Sequence, residues 1–148
     1  MNNKEVETRL QRIFPDKNIE ISHRLLGGMS NYTYVVRIDD KAYTFRIPGE
    51  NADKFVNRKI EKDNLQLIET LKISNQTIYL NTETGEKVAT YLEGESLHQV
   101  ESYPYNKVSG ILKKIHTSGL KANNDYEPFT RLKQYETYII DFDYAHPQ

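Results

Sequence analysis

The chain has 148 residues, with 20 Lys and Arg against 21 Asp and Glu, so its formal net charge is −1 at pH 7. Nucleic acid is excluded as an expected partner, because a near-neutral chain lacks the clustered positive charge that binds phosphate backbones. The absence of cysteine excludes disulfides and thiolate catalysis, and the absence of a signal peptide or an apolar run of about 20 residues predicts a cytoplasmic protein without membrane insertion.

The first part of the chain predicts a helix followed by three strands. Val6, Leu10 and Ile13 recur at helical spacing, which predicts an amphipathic helix over residues 4–14 that Pro15 ends. β-branched and aromatic runs separated by turn residues predict strands over residues 19–26, 32–38 and 41–47. We expect these strands to form an antiparallel meander.

The pattern becomes helical after Pro48 and Gly49. Residues 51–71 carry one apolar stripe, which predicts a single long helix with Arg58 on its solvent side. The remaining predicted elements are a hairpin around Thr84-Gly85 with strands over residues 76–80 and 87–91, a helix over residues 105–116 closed by Gly119, and a helix over residues 129–140.

Gly27 and Gly28 lie between the first two predicted strands. Their ordinary role is a tight turn, because glycine adopts positive φ without strain. The functional interpretation is that they let backbone N–H groups approach a polyphosphate, with the Ser30 hydroxyl and the Asn31 amide as further donors. The segment is neither a Walker A motif nor a dinucleotide fingerprint, so both interpretations stay open.

Arg46 is a cation in an otherwise apolar strand. The alternation of the strand places Tyr43, Phe45 and Ile47 on one face, with Thr44 and Arg46 on the other. A guanidinium there is suited to bind phosphate oxygens, and Glu61, beside the apolar stripe of the following helix, is suited to pair with it. The alternative is that each of the two side chains is simply solvated.

The order of these features is the layout of the nucleotide-binding lobe in kinase-like phosphotransferases. Five segments carry a more specific resemblance: GGMSNYTYVV, YTFRIPG, FVNRKIEKDNLQLI, VATYLEGESL and ILKKIHTSGL. They resemble the bacterial choline/ethanolamine kinase family, the LicA-like choline kinases, and the resemblance runs from about Ile21 to Glu136.

The resemblance implies an α+β fold: a protein-kinase-like N-terminal lobe, made of a five-stranded antiparallel sheet plus a long helix, followed by the first helices of an incomplete helical C-lobe. Residues 1–94 would be the nucleotide-binding lobe with its hinge, and residues 95–148 the start of the C-lobe. The parent reaction would transfer the γ-phosphoryl group of ATP, bound with Mg²⁺, to the hydroxyl of choline or ethanolamine.

The resemblance also implies roles for individual residues. Arg46 would take the place of the strand-three lysine of protein kinases, and Glu61 would be its helix partner. The other implied nucleotide-binding residues are a phosphate-covering loop of Gly27, Gly28, Ser30 and Asn31, and a hinge of Thr90, Tyr91 and Leu92 that reads the adenine edge.

The chain departs from the family in its catalytic loop. None of its four histidines, His23, His98, His116 and His146, is followed two residues later by Asp, so no catalytic residue is assigned and the chain by itself is predicted to be inactive. Asp141 and Asp143 resemble the family's magnesium motif, but Asp141 follows His116 by only 25 residues. We interpret them as loop acids and expect the Mg²⁺ ligands outside this chain.

The expected partners are a nucleotide and, in the full-length parent, a small amino alcohol such as choline. Candidates for bordering an aromatic box around a quaternary ammonium are Tyr126, Phe129, Tyr135 and Tyr138, but the favoured explanation is that these are surface tyrosines that pack a helix. Two other functions stay open: a fragment of an aminoglycoside or other small-alcohol phosphotransferase, and a non-catalytic interaction module. Self-association of the incomplete lobe is a further hypothesis.

Overall fold

The computed structural model describes residues 1–26, 30–95, 97 and 99–139. Its elements in chain order are α1 (Asn3–Ile13), β1 (Ile19–Leu25), β2 (Asn31–Ile38), β3 (Lys41–Pro48), a 3-10 turn (Ala52–Lys54), α2 (Arg58–Glu69), β4 (Thr77–Leu80), β5 (Lys87–Thr90), α3 (Tyr105–His116) and α4 (Pro128–Ile139). No helix in this part of the chain is long and apolar enough to cross a membrane.

The five strands form one antiparallel sheet in the order β1-β2-β3-β5-β4. The predicted meander and the predicted second hairpin are both confirmed. β5 pairs with β3, so that Arg46 lies opposite Lys87 and Tyr43 lies opposite Thr90. This pairing places the second hairpin beside the strand that carries Arg46.

The hydrophobic core lies between α1 and one face of the sheet. Val6 and Leu10 of α1 pack with Tyr34, Phe45 and Val88, and all five are buried. The predicted alternation in β3 is confirmed, because Phe45 and Ile47 point into this core. Arg46 therefore projects from the opposite face of the sheet, the face on which α2 lies.

The single helix predicted over residues 51–71 is wrong. Asn51 is left-handed, with φ of 60°, and leads into the 3-10 turn rather than into an α-helix. Asn57 is extended, and its side chain accepts hydrogen bonds from the N–H groups of Lys59 and Ile60 at 3.1 and 3.2 Å. Because this cap satisfies the first N–H groups of a new helix, α2 begins at Arg58.

The two C-terminal helices bury little of their apolar surface against the described residues. α4 contacts the segment after β3, where Tyr135 and Tyr138 pack edge-to-face on Phe55 and the Tyr138 hydroxyl donates to the Lys54 carbonyl at 3.1 Å. The exposed apolar side chains of this region include Ile111, Leu112, Leu120, Phe129 and Leu132. Self-association through this surface stays a prediction.

Candidate functional site

The predicted pairing of Arg46 with Glu61 is confirmed by the structure. Nη1 of Arg46 donates to Oε1 of Glu61, and Nη2 of Arg46 donates to the carbonyl of Gly85 at 3.3 Å. The two side chains are 18% and 16% exposed, so the ion pair is largely shielded from water. It joins the first turn of α2 to β3.

Arg58 is a third member of this cluster, and its predicted position on the solvent side of the helix is wrong. Nη1 of Arg58 donates to Oε2 of Glu61 at 3.0 Å, and the residue is only 8% exposed. The reason is tertiary: the β4–β5 turn covers the start of α2 and contacts the Arg58 side chain at Gly85. The helical period of α2 alone does not contain that information.

The charges in the cluster favour an anion. Burial of Glu61 acts to raise its pKa, but hydrogen bonds from Arg46 and Arg58 outweigh this effect and leave the pKa below the usual 4.5. Lys87, across the β3–β5 ladder from Arg46, has a lowered pKa because it is partly buried and is repelled by Arg46. Lys87 is not apparent from the sequence pattern, since only the pairing of β5 with β3 brings it beside Arg46.

Arg46 retains an unused donor. Its Nε is buried and has no hydrogen-bond partner among the described atoms. A buried donor without an acceptor carries a desolvation cost, but the same burial means that this nitrogen is not open to a ligand in this structure. The excess of positive charge from Arg46, Arg58 and Lys87 over Glu61 is the feature that fits an anionic ligand.

Asn31 and Ser30 lie near Arg46. In the β2–β3 register Asn31 is paired with Pro48, two positions from Arg46, which places Asn31 on the same face of the sheet. Its Oδ1 is buried without a partner, while its Nδ2 lies 3.2 Å from the Ser30 hydroxyl. Gly27 and Gly28 lie outside the described residues.

The predicted hinge follows β5. The N–H groups of Thr90 and Tyr91 are used within the sheet, where they donate to the carbonyls of Gln76 and Ala42 at 2.9 and 3.1 Å. The N–H of Leu92 has no backbone partner among the described residues, and this residue is 64% exposed. Leu92 therefore has the backbone donor that remains available to a ligand.

Two cavities border the cluster, and Glu61 lines both. One, of about 570 Å³, lies between α2 and the end of α3 and is lined mainly by apolar side chains such as Leu65, Ile68 and Ile115. The other, of about 350 Å³, lies between the start of α2 and the residues before α4, including Tyr126. Glu61 is thus next to open space, whereas Arg46 is not among the residues that line either cavity.

The remaining predicted residues do not assemble into a second site. Tyr135 and Tyr138 contact Phe55, whereas Tyr126 and Phe129 are exposed. Within the described ranges no three His, Asp or Glu side chains are grouped so that they could hold a metal ion. Asp141 and Asp143 lie outside those ranges.

No family model matches the chain, but individual proteins do. Protein LicA of Haemophilus influenzae is 25% identical over 114 residues, which are 74% of this chain and 34% of that protein. The choline kinase LicA from Streptococcus pneumoniae matches with a TM-score of 0.74 and 27% identity, over 97% of this chain and 49% of that one. The chain is similar in sequence and in structure to the LicA choline kinases.

A LicA structure solved in complex with AMP gives the same TM-score, 0.74, at 27% identity, over 93% of this chain and 49% of that chain. These matches confirm the predicted fold class, a protein-kinase-like N-terminal lobe followed by helices. The chain spans about half the length of the solved LicA chains and about a third of the Haemophilus influenzae protein.

Proposed function

We propose that this chain is the ATP-binding portion of a choline kinase-like phosphotransferase. The observation that carries the proposal is the cluster of Arg46, Arg58 and Lys87 around Glu61, whose net positive charge lies on the sheet face opposite the hydrophobic core. The similarity to a LicA that was solved with AMP supports an adenine nucleotide as the ligand.

The proposed site extends from the glycine loop to the hinge. Arg46 would bind the phosphates, and Gly27, Gly28, Ser30 and Asn31 would cover them with backbone and side-chain donors. Between Arg46 and the hinge, the same sheet face carries the buried side chains of Val35 and Ala89, which are suited to contact the adenine ring. The backbone of Thr90, Tyr91 and Leu92 would read its edge.

The identity of the phosphoryl acceptor is proposed only from the similarity to the LicA choline kinases. The parent reaction would transfer the γ-phosphoryl group of ATP to the hydroxyl of choline or ethanolamine. When bound, Mg²⁺ would neutralise charge on the phosphates, and we expect its protein ligands outside this chain. The contribution of residues 1–94 would be to hold the nucleotide in position, since catalysis in this class is mainly positioning and charge stabilisation.

Titration with MgATP tests nucleotide binding directly. A ligand that binds only the folded state at 100 times its Kd stabilises that state by about 2.7 kcal/mol, and for a domain of this size we expect Tm to rise by about 5 °C or more. MgGTP and inorganic tripolyphosphate are the control ligands, and both should raise Tm by less than MgATP does. If saturating MgATP and tripolyphosphate give equal shifts, the cluster is an anion site without a nucleotide pocket.

The 148-residue polypeptide incubated with MgATP and choline is expected to produce no phosphocholine above the uncatalysed background. The reason is that its sequence offers no catalytic-loop Asp to accept the proton of the substrate hydroxyl. Detection of phosphocholine by mass spectrometry is the measurement. Turnover that depends on Arg46 would show that another group of this chain supplies the base.

A further inference from the structure

The β4–β5 turn contacts both α1 and the arginine cluster. Its internal shape is fixed by Asn81, whose side chain accepts hydrogen bonds from the N–H groups of Glu83 and Thr84 at 2.8 and 3.1 Å. The carbonyl of the same asparagine accepts a hydrogen bond from the N–H of Gly85 at 2.8 Å. The turn is therefore a preformed unit, and its contacts with α1 and with the cluster determine where it lies in the fold.

The contact with the cluster is made by the backbone of Gly85. Its carbonyl accepts a hydrogen bond from Nη2 of Arg46 at 3.3 Å, while Nη1 of Arg46 donates to Glu61. Gly85 has φ of +72°, and a Cβ built on it would lie 2.7 Å from Nε of Arg58 and 2.7 Å from Cγ of Pro48. Glycine permits both this φ and this close approach. Two acceptors, one from α2 and one from the turn, thus orient the planar guanidinium of Arg46.

The contact with α1 is an ion pair between Arg9 and Glu86. Nη1 of Arg9 lies 2.6 Å from Oε1 of Glu86, and the Thr84 hydroxyl donates to Oε2 of Glu86 at 3.2 Å. The Glu86 side chain is only 12% exposed, so the pair is better shielded than the exposed ion pairs that contribute little. Val6 and Leu10 anchor α1 itself in the hydrophobic core. The ion pair therefore ties the turn to a helix that is fixed on the sheet.

We propose that the Arg9–Glu86 ion pair is a positioning element for nucleotide binding. It holds the β4–β5 turn in place, so that the carbonyl of Gly85 stays within hydrogen-bond distance of Arg46. This inference rests on the proposed function. Without the ion pair the turn keeps its internal shape but is free to move away from the cluster, and the guanidinium loses one of the two acceptors that orient it. A guanidinium that has to be ordered when the nucleotide binds gives a lower affinity.

Two single variants break the ion pair. Arg9→Met and Glu86→Met each keep a long apolar stem and remove the charge, and either one is informative if the other does not fold. The double variant Arg9→Glu/Glu86→Arg restores an ion pair with the charges exchanged. The matched controls are Arg12→Met, at an exposed arginine of α1, and Glu83→Met, at an exposed acid of the same turn. Circular dichroism establishes that each variant is folded.

Two quantities are measured for each variant: the Kd for MgATP by calorimetry, and the carbonyl ¹³C resonance of Gly85 in the nucleotide-free protein labelled with 1-¹³C-glycine. The chain has seven glycines, and the Gly85 signal is assigned by its loss in Gly85→Ala. Arg46→Ala gives the position of this signal without the hydrogen bond.

We expect Arg9→Met and Glu86→Met to weaken MgATP binding about fivefold, the size of one net hydrogen bond. Both variants should also shift the Gly85 signal towards its position in Arg46→Ala. The charge-exchanged double variant should recover both properties, and the two control variants should change neither.

Unchanged affinity and an unchanged Gly85 signal in the two single variants would overturn the proposal. A loss of affinity without a shift of that signal would also do so, because the effect would not pass through the turn. Equal losses in the controls would indicate a general charge effect, and a double variant without recovery would show that the pairing itself has no role. If the wild-type protein binds no MgATP, the proposed function fails, and the Gly85 signal alone then decides whether the ion pair controls the contact with Arg46.

Discussion

Replacing Arg46 with alanine is expected to abolish the thermal shift that MgATP produces and to weaken nucleotide binding about a hundredfold. Removing one partner of a shielded, hydrogen-bonded charge pair usually has an effect of this size. The variant should fold, because Glu61 keeps its hydrogen bond with Arg58 and is not left as an unpaired buried charge. The loss should therefore appear in the ligand titration and not in the fold.

Arg37→Ala is the matched control for this experiment. Arg37 lies on the neighbouring strand β2, carries the same charge and is exposed. Its one recorded hydrogen bond, to the Asp40 carbonyl, is long at 3.4 Å. Calorimetric titration of both variants with MgATP makes the comparison. Binding by Arg46→Ala that equals binding by Arg37→Ala would remove Arg46 from the nucleotide site.

Replacing Glu61 with glutamine is expected to lower the free energy of unfolding by about 2 kcal/mol at pH 7. The variant leaves the guanidinium groups of Arg46 and Arg58 facing each other with no anion between them, and an uncompensated shielded charge is strongly destabilising. Urea denaturation measures the change. Asp63→Asn, an exposed acid-to-amide replacement in the same helix, should alter stability by less than about 0.5 kcal/mol.

The pH dependence of this effect has a definite sign. The pKa of Glu61 is lower in the folded protein than the usual 4.5, because hydrogen bonds from Arg46 and Arg58 outweigh the effect of burial. The carboxylate therefore stabilises the fold above about pH 4.5, and this contribution is lost as the pH falls towards the lowered pKa. The stability difference between wild type and Glu61→Gln should shrink over that range. A difference that stays constant down to pH 3.5 would contradict the ion-pair explanation.

The local pattern of the sequence was sufficient for the strands, whereas the Arg46–Glu61 pair was one of two interpretations that the pattern left open. Alternation in residues 41–47 assigns Arg46 and Phe45 to opposite faces, and a period of two leaves no other arrangement. The same local reasoning failed over residues 51–71. Asn57 interrupts the helical pattern there, because its side chain caps a new helix that begins at Arg58. An Asn within an apolar helical pattern can either continue a helix or cap a new one, and the pattern alone does not distinguish these two outcomes.

Gly27 and Gly28, Asp141 and Asp143, and the nucleotide roles of Thr90, Tyr91 and Leu92 stay predictions. For the hinge the structure adds a constraint that the sequence does not contain. The N–H groups of Thr90 and Tyr91 are engaged by β4 and β3 neighbours, so Leu92 is the residue to probe by backbone-directed methods. Which N–H groups of a segment are free depends on the strand that pairs with it.

The sequence by itself determined the strands, the faces of β3 and the resemblance to choline kinases, because these depend on residues that are close together in the chain. Only the tertiary structure decided that Arg58 is buried and shares Glu61 with Arg46, and that Lys87 lies beside them. Both outcomes depend on β5 pairing with β3 and on the Gly85 turn that this pairing places over the start of α2. Arg58 and Gly85 are 27 positions apart and Arg46 and Lys87 are 41 positions apart, and helical or strand periodicity carries no information about such contacts.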